Sequence, residues 1–193
     1  MALLSQADIL RGLAKLDAAA KAEGVFVDLS VYGGAAMALA FDARASTRDV
    51  DAVARGGHAF LRRAVARIAE EEQWPADWLN DAVKRFTSGH ERMQALELFE
   101  PSPQGGLRVY APAPEYLFAM KCMAMRIAGT DAHDLADIRF LAKETGIRDA
   151  KAALALIENF YPRGRIPAKV QFGIEEIMER LQSARTHDDG VEP

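Results

Sequence analysis

The chain has 193 residues, half of them hydrophobic, so one compact domain or two small lobes can bury a core without covalent staples. A net charge of -4 and a pI of about 5.6 argue against broad, non-specific binding of nucleic acid, although a local basic groove would survive that balance. Cys122 is the only cysteine, which excludes an intramolecular disulfide and a cysteine-based zinc site, and its apolar surroundings favour a small buried side chain.

The first half of the chain predicts helices and strands in alternation. Residues 5–23 carry apolar side chains at helical spacing behind a possible N-cap at Ser5. Residues 25–32, VFVDLSVY, are β-branched and aromatic, which predicts a strand. The later predicted elements are a helix from 33 to about 41, a strand at 48–54, a helix at 57–73, a short helix at 76–85, and hairpin strands at 94–99 and 107–111.

The second half predicts only helices, at about 114–127, 132–145, 149–160 and 168–184. We therefore predict an α/β (α+β) fold with a small mixed β-sheet. Its three parts are an α/β core at 1–112 that carries the site, a helical lobe at 113–184 that closes the site, and a disordered tail at 185–193. No apolar run approaches the length of a membrane span and the N-terminus lacks the pattern of a signal peptide, so we expect a cytoplasmic protein without a membrane partner.

A glycine pair, Gly33-Gly34, lies where the predicted strand at 25–32 passes into a helix. Glycines at such a turn let the backbone approach a ligand closely, and a helix N-terminus attracts phosphate. The surrounding sequence, GGAAMA, fits neither the dinucleotide fingerprint nor the P-loop. Since a Gly-Gly turn is more often only a turn, a phosphate site at this point needs a second feature.

That second feature is the pair Asp49 and Asp51, two residues apart in a predicted strand. Side chains so spaced point to the same face, where like charges repel unless a cation or a basic group lies between them. Two carboxylates on one face can bind two divalent ions about 3.5–4 Å apart, the arrangement used for in-line phosphoryl or nucleotidyl displacement. The alternative is a solvated acidic strand, or pairing of these acids with Arg44 and Arg48.

Glu97 is the candidate for a third carboxylate, on a strand that neighbours the aspartates, because Leu96 and Leu98 would form the buried face on either side of it. The alternative is an ordinary outward-facing glutamate. Glu100 is a weaker candidate for the same role.

In the predicted helices, Lys121 interrupts a run that is otherwise apolar all round. An unpaired ammonium is costly to bury, which favours an anionic ligand such as a triphosphate; the alternative is a lysine whose head reaches water. Asp134 and Asp137 lie one helical turn apart and share a helix face. Either Asp131 or Asp134 could instead serve the N-terminus of that helix.

The glycine pair, the stretch RASTRDVD (44–51) and the stretch DLADI (134–138) together resemble the polymerase-β-type nucleotidyltransferase superfamily. More closely, the chain is similar to the AbiEii/MenT-like toxin branch of that superfamily and its uncharacterised bacterial relatives. The resemblance covers residues 33–51 and 114–138. It implies that Gly33 and Gly34 hold the triphosphate, with a hydroxyl from Ser46 or Thr47 nearby, and that Lys121 contacts the nucleotide phosphates.

The same resemblance implies that Asp49 and Asp51 bind Mg²⁺ or Mn²⁺. Glu97 would stand where many relatives have a third acid, usually aspartate, and this departure leaves the general base open. Asp134 or Asp137 would organise the site from the helical lobe.

Relatives of this kind transfer a nucleoside monophosphate from an NTP to a tRNA end or a protein hydroxyl, and several are toxins encoded beside an antitoxin. The resemblance therefore implies a nucleotidyltransferase of this type, a toxin or antitoxin protein being a possible partner. The alternative is a catalytically inactive nucleotidyltransferase fold that binds a partner, as an antitoxin or regulator. The basic stretches at 44–48, 60–67 and 162–165 either edge a tRNA groove or form a solvated face. A metal-dependent phosphohydrolase built on His133-Asp134 lacks convincing partner histidines.

Overall fold

The computed structural model describes residues 3–125 and 132–188, with side chains described as far as residue 181. Within these residues the fold is mixed α/β, with a five-stranded mixed sheet, seven α-helices and a helical C-terminal region, which confirms the predicted fold class. The strands are β1 (Leu4–Ser5), β2 (Phe26–Val31), β3 (Ser46–Thr47), β4 (Val50–Arg55), β5 (Leu79–Asn80), β6 (Met93–Leu96) and β7 (Gly106–Pro112). The helices are α1 (Gln6–Glu23), α2 (Gly33–Phe41), α3 (His58–Glu72), α4 (Pro114–Ala124), α5 (Ala132–Glu144), α6 (Ala150–Glu158) and α7 (Ala168–Asp188).

The prediction of a helix at 76–85 is wrong, because that segment contains β5 and most of a 3₁₀ helix at Ala82–Phe86. Trp78 in this segment is fully buried and is held by two hydrogen bonds. Its indole N–H donates to the carbonyl of Val65 at 3.2 Å, and its carbonyl accepts from the amide of Val50 at 2.6 Å. A tryptophan fixed in this way holds the chain extended beside β4.

Three element ends also differ from expectation. α4 ends at Ala124, and Asp131 lies outside the described residues. The last helix, α7, continues to Asp188, so the expected disorder does not hold for residues 185–188, while 189–193 lie outside the described residues. No helix in the described part of the chain is both long and apolar enough to cross a bilayer.

The five-stranded sheet has the order β5-β4-β2-β7-β6. β2 pairs antiparallel with β4 and parallel with β7, and β6 joins the far side of β7. Alternate residues of these strands form a fully or nearly fully buried apolar face; they are Val27, Leu29, Val31, Val50, Ala52, Leu107, Val109 and Ala111. Because the side-chain period of a strand is two, Asp28, Ser30 and Asp51 lie on the opposite face.

The chain divides into two compact units, Met1–Arg85 with Met93–Pro112, and Phe86–Arg92 with Ala113–Pro193. The first unit contains the sheet. In the second, hydrogen bonds hold the segment 86–92 to α4 and to the residues after α6: the amide of Ser88 donates to Oη of Tyr116 at 2.8 Å, and Oη of Tyr161 donates to the carbonyl of Phe86.

A capping box starts α1. Oγ of Ser5 accepts from the amide of Asp8 at 3.1 Å, and Oδ2 of Asp8 accepts from the amide of Ser5 at 2.9 Å. Hydrogen bonds from the side chain and backbone of Ser5, and then from Arg11, lower the pKa of Asp8 from 3.8 to about 2. Folding therefore favours the ionised carboxylate.

We expect the free energy of unfolding of Asp8→Asn to fall less steeply than that of the wild type as the pH is lowered. A carboxyl group whose pKa is lowered by folding contributes stability that is complete above its unfolded pKa of about 3.8 and is lost as the pH falls toward about 2. Urea midpoints measured between pH 6 and pH 3 test this, and equal pH dependence in both proteins would contradict it. Ser5→Ala, which removes the cap itself, should cost about 1 kcal/mol at neutral pH.

Candidate functional site

The N-terminus of α2 lies beside the beginning of β4. The strand β2 runs directly into α2, and Val31 at its end pairs with Ala52 of β4. The amide of Tyr32, the next residue, donates to the carbonyl of Asp51 at 2.8 Å. This short connection places Asp51 next to the glycine pair.

Gly33 is required at this position for two reasons. Its φ is 58°, in the left-handed region that favours glycine, and a Cβ atom on it would lie 3.0 Å from Oδ2 of Asp51. The carboxylate of Asp51 therefore lies close to the positive end of the α2 dipole. A phosphate group at the same helix end would be repelled by Asp51 unless a metal ion or a basic side chain lay between the two anions.

The space left by Gly34 is filled by the protein itself. A Cβ atom on Gly34 would lie 2.5 Å from Oγ1 of Thr47 and 3.2 Å from Nη1 of Arg44. Thr47 is buried in β3, which pairs with β1, and Nε of Arg44 donates to the carbonyl of the half-buried Ser46 at 3.0 Å. Of the two predicted hydroxyls, the structure places that of Thr47 against Gly34.

We expect Gly34→Ala to destabilise the protein. The new methyl group would overlap Thr47, a buried and β-branched residue that cannot swing away, and overpacking of this kind costs about 1–3 kcal/mol, more than the gain of up to about 1 kcal/mol in helix propensity. Urea denaturation measures the change. The double variant Gly34→Ala with Thr47→Ala should recover part of the lost stability, whereas Gly34→Ala with Thr47→Val should recover none. A single variant as stable as the wild type would contradict this packing argument.

Asp49 lies in the bend before β4, not within the strand as expected. Its half-buried carboxylate accepts a hydrogen bond at Oδ2 from Nδ2 of Asn80, at 2.9 Å. Asn80 is also the register partner of Asp51 in the parallel pair of β4 and β5. Among the described side chains, no lysine, arginine or histidine forms an ion pair with Asp49. Within this part of the chain the alternative of arginine pairing is therefore wrong for Asp49, and for Asp51 it stays an alternative.

Sequence reasoning missed Asn80. The residue falls in the segment that was expected to be a helix, and only the pairing of β5 with β4 brings it to the aspartates. The one local signal is the dipeptide Asn80-Asp81 after an apolar pair, which is typical of a turn after a short strand.

Glu97 is not brought to the acidic pair, and the expectation that it lies on a neighbouring strand is wrong. β2 and β7 separate β6 from β4, and β6 ends at Leu96, before Glu97. Met93, at the other end of β6, pairs with Pro112 at the end of β7 where β2 leads into α2. Glu97 is therefore exposed at the opposite end of this edge strand, and Glu100 is exposed in the loop that follows.

In the helical unit, Lys121 forms ion pairs with both predicted aspartates. Its Nζ lies 2.9 Å from Oδ1 of Asp134 and 2.7 Å from Oδ2 of Asp137. The side chains of Lys121 and Asp137 are 10% and 4% exposed, and that of Asp134 is 46% exposed. Lys121 is therefore not a lysine whose head reaches into water. Asp134 lies in the first turn of α5, where a carboxylate also complements the helix dipole.

Asp51, beside the N-terminus of α2, and Asp49, two residues before it, are donors of the kind that a hard divalent cation takes. Asp49 and Asp51 offer carboxylate oxygens, and Mg²⁺ is held in proteins by one or two carboxylates together with water and substrate phosphates. No group of three His, Cys, Asp or Glu side chains gathers anywhere in the described chain, so the remaining ligands would come from substrate and water. Cys122 is fully buried, and burial raises the pKa of its thiol, which makes it an unreactive core residue.

Two clusters therefore stand out. One joins Gly33, Gly34, Thr47, Asp49, Asp51 and Asn80 in the sheet unit, and the other joins Lys121, Asp134 and Asp137 in the helical unit. Comparisons with protein-family models, with curated proteins and with solved structures found no match for this chain. Proposals about its function rest on these two clusters.

Proposed function

We propose that the chain is a metal-dependent nucleotidyltransferase that moves a nucleoside monophosphate from an NTP to a hydroxyl of tRNA or of a protein, with release of pyrophosphate. The observation that carries the proposal is the position of Asp51: its carboxylate lies beside Gly33, the first residue of α2, with Asp49 two residues earlier in the chain. A helix N-terminus attracts phosphate, whereas a carboxylate repels it. In this proposal a divalent cation lies between the Asp51 carboxylate and the phosphate.

In this proposal Asp49 and Asp51 hold Mg²⁺ or Mn²⁺. The ion, when bound, supplies positive charge to the phosphate oxygens on which negative charge develops. The first-turn amides of α2 have no partner within the helix and are suited to orient the phosphates. A phosphate contact by Lys121 follows from the resemblance alone; within the helical unit its ammonium pairs with Asp134 and Asp137.

Nucleotidyl transfer depends mainly on positioning and electrostatic stabilisation, so no enzyme nucleophile is required. We assign no general base, because Glu97 lies at the far end of an edge strand. The acceptor hydroxyl, on tRNA or on a protein, is a separate proposal. A toxin role beside a cognate antitoxin follows from the resemblance alone.

A second candidate is a catalytically inactive module of the same fold that binds a partner as an antitoxin or regulator. Two observations favour it. No third carboxylate joins Asp49 and Asp51 among the described residues, and both carboxylates near Lys121 already neutralise its charge. Such a module would bind its partner without an NTP.

Thermal unfolding with Mn²⁺, with each of the four NTPs, and with both together separates the two candidates. A ligand that binds only the folded state at about 100 times its Kd stabilises the protein by about 2.7 kcal/mol, so an active enzyme should gain most when NTP and metal are present together. Asp49→Ala should lose this joint gain. A wild type with no metal-dependent shift in any NTP would reject the enzyme and leave the inactive module. Incubating the protein with labelled NTPs, total tRNA and a protein encoded next to it then identifies the acceptor.

A further inference from the structure

The side-chain amide of Asn80 is held in one orientation. Its Oδ1 accepts a hydrogen bond from the amide of Ala82 at 3.0 Å. Because a backbone N–H can only donate, the oxygen must face Ala82, and the NH₂ group must face Asp49, which it reaches at 2.9 Å. The amide therefore joins the start of the 3₁₀ helix to the Asp49 carboxylate.

The backbone around Asn80 is fixed by its neighbours in the sheet. Trp78, two residues earlier, is fully buried, and its carbonyl accepts from the amide of Val50. Asn80 itself pairs with Asp51 in the register of β5 and β4. A side chain fixed at its backbone and at its own amide oxygen can hold a neighbouring carboxylate at a set position.

We propose that Asn80 is a positioning residue, which orients the Asp49 carboxylate for a divalent cation. This inference rests on the proposed metal site. Asp49 lies in a bend outside the strand, so the sheet does not fix its side chain as it fixes Asp51. The hydrogen bond from Asn80 occupies Oδ2, limits rotation of the carboxylate and leaves Oδ1 for the cation. Groups that hold a ligand in this way typically contribute about 10–100-fold to metal affinity.

The variant Asn80→Ser separates positioning from local structure. A serine hydroxyl can accept from an amide two residues ahead, as in an ST-turn, so the contact to Ala82 can be kept. It is too short to reach Asp49 as the asparagine amide does. Asp81→Asn, at the exposed neighbouring residue that pairs with Lys84, is the matched control.

The test is a Mn²⁺ titration followed by the unfolding temperature at a fixed concentration of the NTP that stabilises the wild type most. We expect the apparent Kd for Mn²⁺ to rise about tenfold or more in Asn80→Ser and to stay unchanged in Asp81→Asn. The unfolding temperature without metal should stay near that of the wild type in both variants.

Three other outcomes are informative. If Asp49→Ala abolishes the Mn²⁺ response and Asn80→Ser leaves the apparent Kd unchanged, Asn80 has only a structural role and the inference is overturned while the metal site stands. A lower unfolding temperature without metal, together with an unchanged Kd, overturns it in the same way. If the wild type shows no Mn²⁺ response, or Asp49→Ala keeps it, the proposed metal site itself fails and the role of Asn80 fails with it.

Discussion

If the chain has the proposed activity, replacing Asp51 with alanine is expected to reduce nucleotidyl transfer by about a hundredfold or more, because the charge that develops on phosphate in the transition state would lose the proposed cation. The carboxylate lies beside Gly33, at the end of the sheet where a phosphate would meet the α2 dipole. Asp49→Ala is expected to act in the same direction. Transfer of label from each α-labelled NTP to its acceptor measures the loss.

Two further variants make the Asp51 result specific. Asp51→Asn keeps the shape of the side chain beside Gly33 and removes its charge, so it should lose transfer while retaining the wild-type circular dichroism spectrum. Asp28→Asn is the matched control: Asp28 is a half-buried aspartate of the same sheet, but it pairs in register with Arg55 at the other end of β4. Full activity in Asp51→Asn would overturn the proposal that this carboxylate binds a metal ion needed for transfer.

The local part of the site could be predicted from the sequence. A β-branched strand, a glycine pair and an apolar helix are contiguous in the chain, and the structure forms β2 and α2 as expected. The link between Gly33 and Asp51 follows from a single antiparallel pairing between consecutive strands of the sheet. Short-range order of this kind is set by turn chemistry and residue patterns, which a single sequence contains.

The parts of the site that the sequence did not predict depend on contacts between segments that are distant in the chain. The position of Glu97 is decided by the strand order, in which β7 pairs parallel with β2 and carries β6 to the outer edge. Asn80 reaches Asp49 only because burial of Trp78 overrides a helical pattern at 76–85. A Cβ atom on Gly12 of α1 would lie 2.7 Å from the Trp78 ring, so a residue far away in sequence makes room for this indole. No local pattern contains that information.

Lys121→Met is expected to destabilise the helical unit by about 3–5 kcal/mol, because it leaves the nearly fully buried carboxylate of Asp137 without its ammonium group. Asp134→Asn should cost only about 0–1 kcal/mol, since Asp134 is 46% exposed and water can replace its ion pair. Urea denaturation followed by circular dichroism measures both. Equal losses in the two variants would contradict the assignment of Asp137 as the dominant partner.

The double variant Lys121→Met with Asp137→Leu removes both charges of the buried ion pair. Replacing a buried ion pair by apolar groups is often neutral or stabilising, so the double variant should recover most of the stability that Lys121→Met loses. It also separates stability from function at this position. A folded double variant that fails to bind NTP would support Lys121 as a phosphate contact, whereas one that binds NTP as the wild type does would restrict Lys121 to holding α4 against α5.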